Sequence, residues 1–404
     1  MLSDVCHAVT AWVRVEWFRF QFWAVCVIKA LQPVDGDQSA GTGVGGSASP
    51  SPVAADKPAS AHEPLQSPDV PSIIDIKKIV PSHCFRGDLA RSLYFVGKDA
   101  LLIGGLYGAM LLLERQPIRM LYIAATPVYW FLQGTMLWAV FVLGHDCGHG
   151  SFSQYHRVND VLGTLLHAVL LVPFYPWKLS HRHHHRNTAN IDRDEIFYPI
   201  RERDESRDFH HIYPGFGFGV SWFLYLLSGF MPRGMCHFNP FESMFAGHVF
   251  GCSLSIGAIG AWLGVLAAYA RIYGIAALAS HYIAPLMVFA SWLVVVTFLH
   301  HMDTGVLWYG DGAWTNVRGQ LSSVDRHYGW AHELTHNIGT HQIHHLFSKI
   351  PHYHLEEATR HFRSTFPQHV CSSDAPSLAD FFRMFYIYKA QRHIGNETML
   401  HAYH

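Results

Sequence analysis

Apolar residues gather in distinct runs along this chain of 404 residues, at 100–113, 120–143, 246–270 and 275–299, with a shorter fifth run at 216–231. A helix that crosses a bilayer needs ~20 consecutive, mainly apolar residues. The runs at 120–143 and 275–299 meet that length and contain no Asp, Glu, Lys or Arg. The run at 246–270 is long and rich in Gly and Ala, which suits close helix approach in lipid. The first run is short alone and extends back through Leu93–Val96, with Lys98 reaching the interface along its aliphatic stem. The fifth lies between Pro214 and Pro232 and reads as interfacial or re-entrant.

Polar sequence between these runs carries three histidine clusters: His145 and His149 in HDCGH, His181, His184 and His185 in HRHHH, and His341, His344 and His345 in HQIHH. Residues three and four apart share one face of a helix, so each cluster presents its rings together. If one site uses all three, they lie on one side of the bilayer. The second and third clusters are separated by three apolar runs, of which an even number must span. Setting aside the 216–231 run leaves four spans. The 145–214 loop carries eight Lys and Arg, the 270–275 turn only Arg271, and the positive-inside rule makes the histidine side cytosolic, with both termini on that side. The expected fold is all-α: a polytopic membrane protein with four transmembrane helices and a cytosolic helical cap holding a histidine-rich dimetal site.

Composition supports the membrane reading. Charged residues make up 15% of the chain, against roughly 25% in soluble domains. A net charge of −1 gives no case for nucleic-acid binding. The seven cysteines (6, 26, 84, 147, 236, 252 and 371) include no C-x2-C pair and read as thiols in a reducing compartment. Three domain regions follow: residues 1–33 as an N-terminal apolar segment, 34–70 as a linker rich in Gly, Ala, Ser and Pro with the composition of disorder, and 71–404 as the membrane domain. Arg14, Glu16 and Arg19 interrupt the first segment too often for a span. It fits an interfacial helix, a weak targeting segment or a misplaced start, and its acids and few serines fit a transit peptide poorly.

Histidine is the outlier, at 31 residues against 29 Lys and Arg. Imidazole suits Zn, Cu, Fe and Ni. One zinc site needs three or four ligands, so eight clustered histidines imply two ions, and a carboxylate-poor site beside lipid points to oxygen chemistry, which iron or copper can perform. Soluble di-iron bundles use paired E-x-x-H motifs; here Glu333–His336 has no twin near the clusters, so an all-histidine set fits better. His301, at the end of the last run, is a ninth candidate ligand, favoured over its neighbour His300, and His336 a further one. Asp146 and Asp194, with Asp192 and Glu195, are candidates to orient the imidazoles. His167, His248 and His281 are assigned to packing. Trp138, Phe152, Tyr175, Trp177 and Phe347 are candidates to line an apolar channel. The string His332-Glu-Leu-Thr-His336 matches the zinc-protease pattern H-E-x-x-H, but a protease leaves the first two clusters unexplained. A metal transporter calls for ionisable residues inside the spans, which the runs at 120–143 and 275–299 lack.

Longer strings make a sharper comparison: QGTMLWAVFVLGHDCGHGSFS (133–153), VPFYPWKLSHRHHHRNTANIDRDEIFYP (172–199), THNIGTHQIHHLFSKIPHYHLEEAT (335–359), VPSHCFRGDLARSLYFVGKD (80–99) and LSSVDRHYG (321–329). Over about 71–390 the chain resembles the integral-membrane fatty acid desaturases of the methyl-end (omega-3/Δ12) group. His327 and the acidic HELTH string depart from that pattern. The resemblance implies two iron ions held by the three clusters and His301, O2 as co-substrate, and a cis double bond inserted toward the methyl end of a fatty acyl chain carried as phospholipid or acyl-CoA. It implies electrons from cytochrome b5 and its reductase in the endoplasmic reticulum membrane, or from ferredoxin in a plastid envelope. No G-x-G-x-x-G or haem motif supplies an internal donor. A hydroxylase, conjugase or acetylenase on the same scaffold is the alternative reading.

Overall fold

Helices begin where the sequence places capping side chains. In the computed structural model, which describes residues 70–204, 210–375 and 377–404, α1 (Ile73–Ile79) starts at Ser72, whose hydroxyl accepts from the Asp75 amide. A 3₁₀ turn (Ser82–Phe85) leads to α2 (Leu89–Glu114), where Asp88 accepts from the Arg91 amide at 2.7 Å. The long α3 (Arg119–His149) stops at Gly150, whose φ of 70° terminates the helix without steric cost. Next come α4 (His156–Ala168), α5 (Phe174–Asn187), α6 (Val220–Ser228), α7 (Val249–Tyr273) and α8 (Ile275–His301), the last containing a π turn at Ala279–Ile283. The short helices α9 (Asn316–Leu321), α10 (Ala331–Leu334) and α11 (His341–Leu346) precede α12 (His352–Thr365) and α13 (Ser377–Gln391).

Among the described residues, α2, α3, α7 and α8 are long and apolar enough to cross a membrane. Within their most apolar windows, 72% of α3 and 56% of α8 is buried, against 11% of α2 and 17% of α7, so α3 and α8 form the inner pair. Their close approach needs Gly134, where a Cβ would sit 2.4 Å from that of Val288. Exposed apolar side chains such as Leu101, Leu112, Met120, Phe250 and Leu254 form the lipid-facing surface. The nine-residue α6 is about 14 Å long and cannot cross ~30 Å of hydrocarbon. It lays Trp222, Tyr225 and Leu226 into the core beside α8, so the structure has the four spans required by parity.

The extramembrane cap is helical. Three two-stranded pairings hold its loops: β1 (Ile200–Arg201) parallel to β5 (His393–Ile394), β2 (Leu307–Tyr309) antiparallel to β6 (Leu400–Ala402), and β3 (Asp325–Arg326) parallel to β4 (Ser372–Ser373). The segment expected at 1–33 and all but the last residue of that expected at 34–70 lie outside the described residues.

Candidate dimetal centre

The 31 residues of α3 measure about 46 Å, well beyond the ~30 Å hydrocarbon thickness. The helix is therefore long enough to cross and still extend past the hydrocarbon, and its last turns carry His145 and His149. The second cluster lies on α5, the third on α11, and His301 closes α8.

These elements bring nine imidazoles into two adjoining groups. Donor atoms of His145, His149, His181, His185 and His344 all lie within 4.8 Å of one another, and so do those of His184, His301 and His345. His341 joins the second group, with its Nε2 3.2 Å from that of His301 and 2.9 Å from that of His345. Nε2 atoms also face each other at 3.2 Å in the pairs His145–His149, His181–His185 and His184–His301. Two nitrogens bound to one ion at ~2.1 Å, roughly 90–110° apart, would be separated by about 3.0–3.4 Å. The facing pairs match that separation. The Nε2 of His344 is buried without a hydrogen-bond partner. An all-imidazole set of this kind fits two transition-metal ions.

Neighbouring groups fix the rings. Asp194, fully buried, accepts from His184 Nδ1 at 2.7 Å, leaving the Nε2 lone pair for a metal. The His345 Nδ1 lies 3.1 Å from Thr188 Oγ1 and 3.0 Å from Gln320 Oε1. Trp177 stacks on His181 at 4.7 Å, and His300 stacks on His341 at 4.1 Å. His300 itself turns away, bonded to the Val324 carbonyl at 2.6 Å and the Tyr328 hydroxyl at 3.2 Å. Burial and the other imidazoles hold His181, His185, His341, His344 and His345 well below the ordinary histidine range, in the neutral form that binds metals. Burial opposes a charge on His184 too, but the adjacent Asp194 raises its pKa on balance.

Other candidate residues fall elsewhere. His336 is in neither histidine group; its Nε2 bonds the buried Asp99 at 2.7 Å. His332 bonds Glu356 at 2.8 Å. The H-E-x-x-H spacing loses its meaning because α10 ends at Leu334 and His336 has a φ of 61°. Asp146 chiefly fixes α12, accepting from the amide and Nδ1 of His352 at 3.1 and 2.9 Å, and stands 3.8 Å from His145 Nδ1. Asp192 pairs with Arg201. His167 packs on Phe141 and bonds its carbonyl, His248 packs against Tyr175, and His281 bonds Tyr269.

An apolar cavity borders both groups, reaching His145, His181, His184, His301 and His341. Trp138, Phe141, Trp177, Trp222, Leu293 and Val296 contribute to its walls. Phe152, Tyr175 and Phe347 do not line it. Glu195 enters it, bonded through both oxygens to the Tyr225 hydroxyl at 3.0 Å, and burial pushes its carboxyl up to about 8.

Sequence comparison meets this geometry independently. The chain is 36% identical over 327 residues to an sn-1 acyl-lipid omega-3 desaturase (ferredoxin) from a Synechocystis strain, covering 77% of this chain and 86% of that protein. It is 36% identical over 303 residues to an endoplasmic reticulum omega-3 fatty acid desaturase of Nicotiana tabacum, covering 71% and 76%. It is 37% identical over 297 residues to an acyl-lipid omega-3 desaturase (cytochrome b5) of the endoplasmic reticulum in Arabidopsis thaliana, covering 71% and 74%. Residues 124–375, which hold all nine clustered histidines, match the fatty acid desaturase family, and the chain belongs to that family.

Proposed function

We propose that this protein is an O2-dependent acyl-lipid desaturase that inserts a cis double bond toward the methyl end of a fatty acyl chain, of the omega-3 type, using two iron ions. The observation that carries this reading is the apolar cavity bordered by both histidine groups. One group would be held by His145, His149, His181, His185 and His344, the other by His184, His301, His341 and His345. Bound iron supplies, with O2, the oxidising power to break unactivated C–H bonds, for which side chains have no acid–base handle.

The chain's own residues orient and exclude. Asp194, Thr188 and Gln320 hold ligand rings in place, so that little reorganises when metal binds. Trp138, Phe141, Trp222, Leu293 and Val296 give an acyl chain an apolar path and exclude water. Glu195, neutral below about pH 8, meets its hydrogen-bonding demand through Tyr225 and adds no charge to that path. The reaction balances when adjacent methylenes give up two hydrogens, as two protons and two electrons, an external carrier adds two more electrons and solvent adds two more protons, so that one O2 becomes two waters. Names of the Arabidopsis and Synechocystis relatives include cytochrome b5 and ferredoxin respectively. For this chain we assign cytochrome b5 and residence in the endoplasmic reticulum membrane, with both termini cytosolic; the excess of Lys and Arg on the histidine side supports that orientation.

Expression in yeast supplied with linoleate, followed by gas chromatography and mass spectrometry of the lipids, tests the proposal. A new methyl-end double bond, seen as loss of two hydrogens and abolished by His344→Ala without loss of protein from membranes, is the expected result. Gain of one oxygen would instead mark a hydroxylase, and no product from linoleate would overturn the omega-3 assignment.

A further inference from the structure

A second set of metal-binding side chains lies outside the nine-histidine centre. His83 and Cys84, on the 3₁₀ turn before α2, meet His354 and Glu357, one turn apart on α12, with all four donor atoms within 4.8 Å of one another. The His83 Nε2 is 3.0 Å from Glu357 Oε2 and 3.7 Å from Cys84 Sγ, and His354 Nδ1 is 3.6 Å from the same carboxylate oxygen. Cys84 is fully buried, while His83 is exposed, so the thiol is sheltered and the site has an entry path.

We propose that His83, Cys84, His354 and Glu357 bind one zinc ion as a structural clip. One thiolate, two imidazoles and a carboxylate form a four-coordinate set suited to Zn2+. Calcium and magnesium, which take oxygen ligands, are disfavoured by sulfur and nitrogen donors. Binding forms a Zn–S bond, and the Cys84 proton leaves to solvent. The clip fastens the segment before α2 to the helix that follows the third histidine cluster. Ile76, Val80 and Cys84 already bury themselves there against Ile343, Phe347, Leu355 and Phe362. At the same end, the first residue of α12, His352, ties the helix to Asp146 on α3.

The test uses full-length protein purified in detergent, stripped with chelator and titrated with Co2+. The nine-histidine centre contains no sulfur ligand, so a sulfur-to-cobalt charge-transfer band in the near ultraviolet reports only a cysteine-containing site. The expected result is a band whose final amplitude corresponds to one thiolate-bound Co2+ per chain, whatever the nine-histidine centre takes up, and which is displaced by Zn2+, disappears in Cys84→Ser and persists in His344→Ala. His83→Ala, at an exposed position whose pairing with Glu357 adds little to stability, should weaken Co2+ binding by more than about tenfold, because losing a ligand costs at least as much as losing a partner that orients one. Absence of the band, or a band unaltered by Cys84→Ser or His83→Ala, would overturn the proposal.

Discussion

Asp194→Asn keeps the size of the side chain but changes what it can accept. One oxygen of Asp194 accepts from His184 Nδ1 at 2.7 Å and from the Glu195 amide at 2.8 Å, and the other accepts from the Ala189 amide at 3.0 Å. An asparagine retains one oxygen and presents an NH2 group. If its oxygen keeps His184, the NH2 faces the Ala189 N–H. If it is reversed, the NH2 faces His184 Nδ1, which must then accept, and the ring proton moves to the Nε2 needed for metal. The first arrangement leaves a buried donor unmet, at about 1–3 kcal/mol. The second removes a ligand's lone pair. Loss of a partner that orients a metal ligand typically costs 10–100-fold in affinity, about 1.4–2.7 kcal/mol. Iron per chain, measured by plasma mass spectrometry on protein purified in detergent, should fall together with product in the yeast feeding assay. Asp192→Asn is the control, because Asp192 pairs with Arg201 and touches no clustered histidine. An Asp194→Asn protein with full iron and undiminished product would refute this account.

Four shorter predictions accompany it. His301→Ala should lower the iron content far more than His300→Ala, since only His301 turns its Nε2 into the cluster; equal losses would contradict the division of roles. His336→Ala should retain iron but lose about 1–3 kcal/mol of stability, because Asp99 stays buried without its 2.7 Å partner; an unchanged melting temperature in detergent would count against it. Glu195 has a folded pKa raised to about 8, so its contribution is complete below its unfolded value of about 4.3 and is lost as pH rises toward about 8; Glu195→Gln should therefore gain stability relative to the parent across that interval, and equal pH profiles would refute the buried neutral carboxyl. Gly144→Leu would drive a Cβ to within 2.2 Å of His167 and should cost about 1–3 kcal/mol or more, whereas a neutral melting shift would deny that close contact.

The spans and clusters were legible because both are local signals. Apolar length identifies a crossing helix, and i, i+3, i+4 spacing puts rings on one face. The choice among neighbouring polar residues was less accessible. Gln320 and Thr188 reach His345 from α9 and the end of α5, and no spacing rule joins those segments. His352 shows why the role expected of Asp146 shifted: the carboxylate is occupied by the first residue of α12, more than two hundred positions away in sequence. The H-E-x-x-H string misleads because its chemistry presumes an unbroken helix, and here the backbone leaves helical geometry between the two histidines. Of the aromatic candidates, Trp138 and Trp177 line the cavity, whereas Phe152 packs beside Cys147 and Phe174, and Phe347 meets Phe85 edge-on.

Precision in the metal centre follows from how the cap is tied to the spans. Helix α3 ends with carbonyls that have no partner within the helix, and Arg182 of α5 donates to one of them, Gly148, at 2.8 Å. That bond fixes the second cluster relative to the first. Asp146 fixes the start of α12 to α3, and Gln320 donates to the His185 carbonyl while holding the His345 ring, linking the second cluster to the third. Each cross-tie joins protein groups, and those on the short cap helices lie beyond the hydrocarbon. The exposed apolar faces of α2 and α7 belong instead to the lipid. Exchange of lipid for detergent should therefore loosen the outer helices before it separates the histidine clusters, and iron should remain bound under conditions that already mobilise α2 and α7.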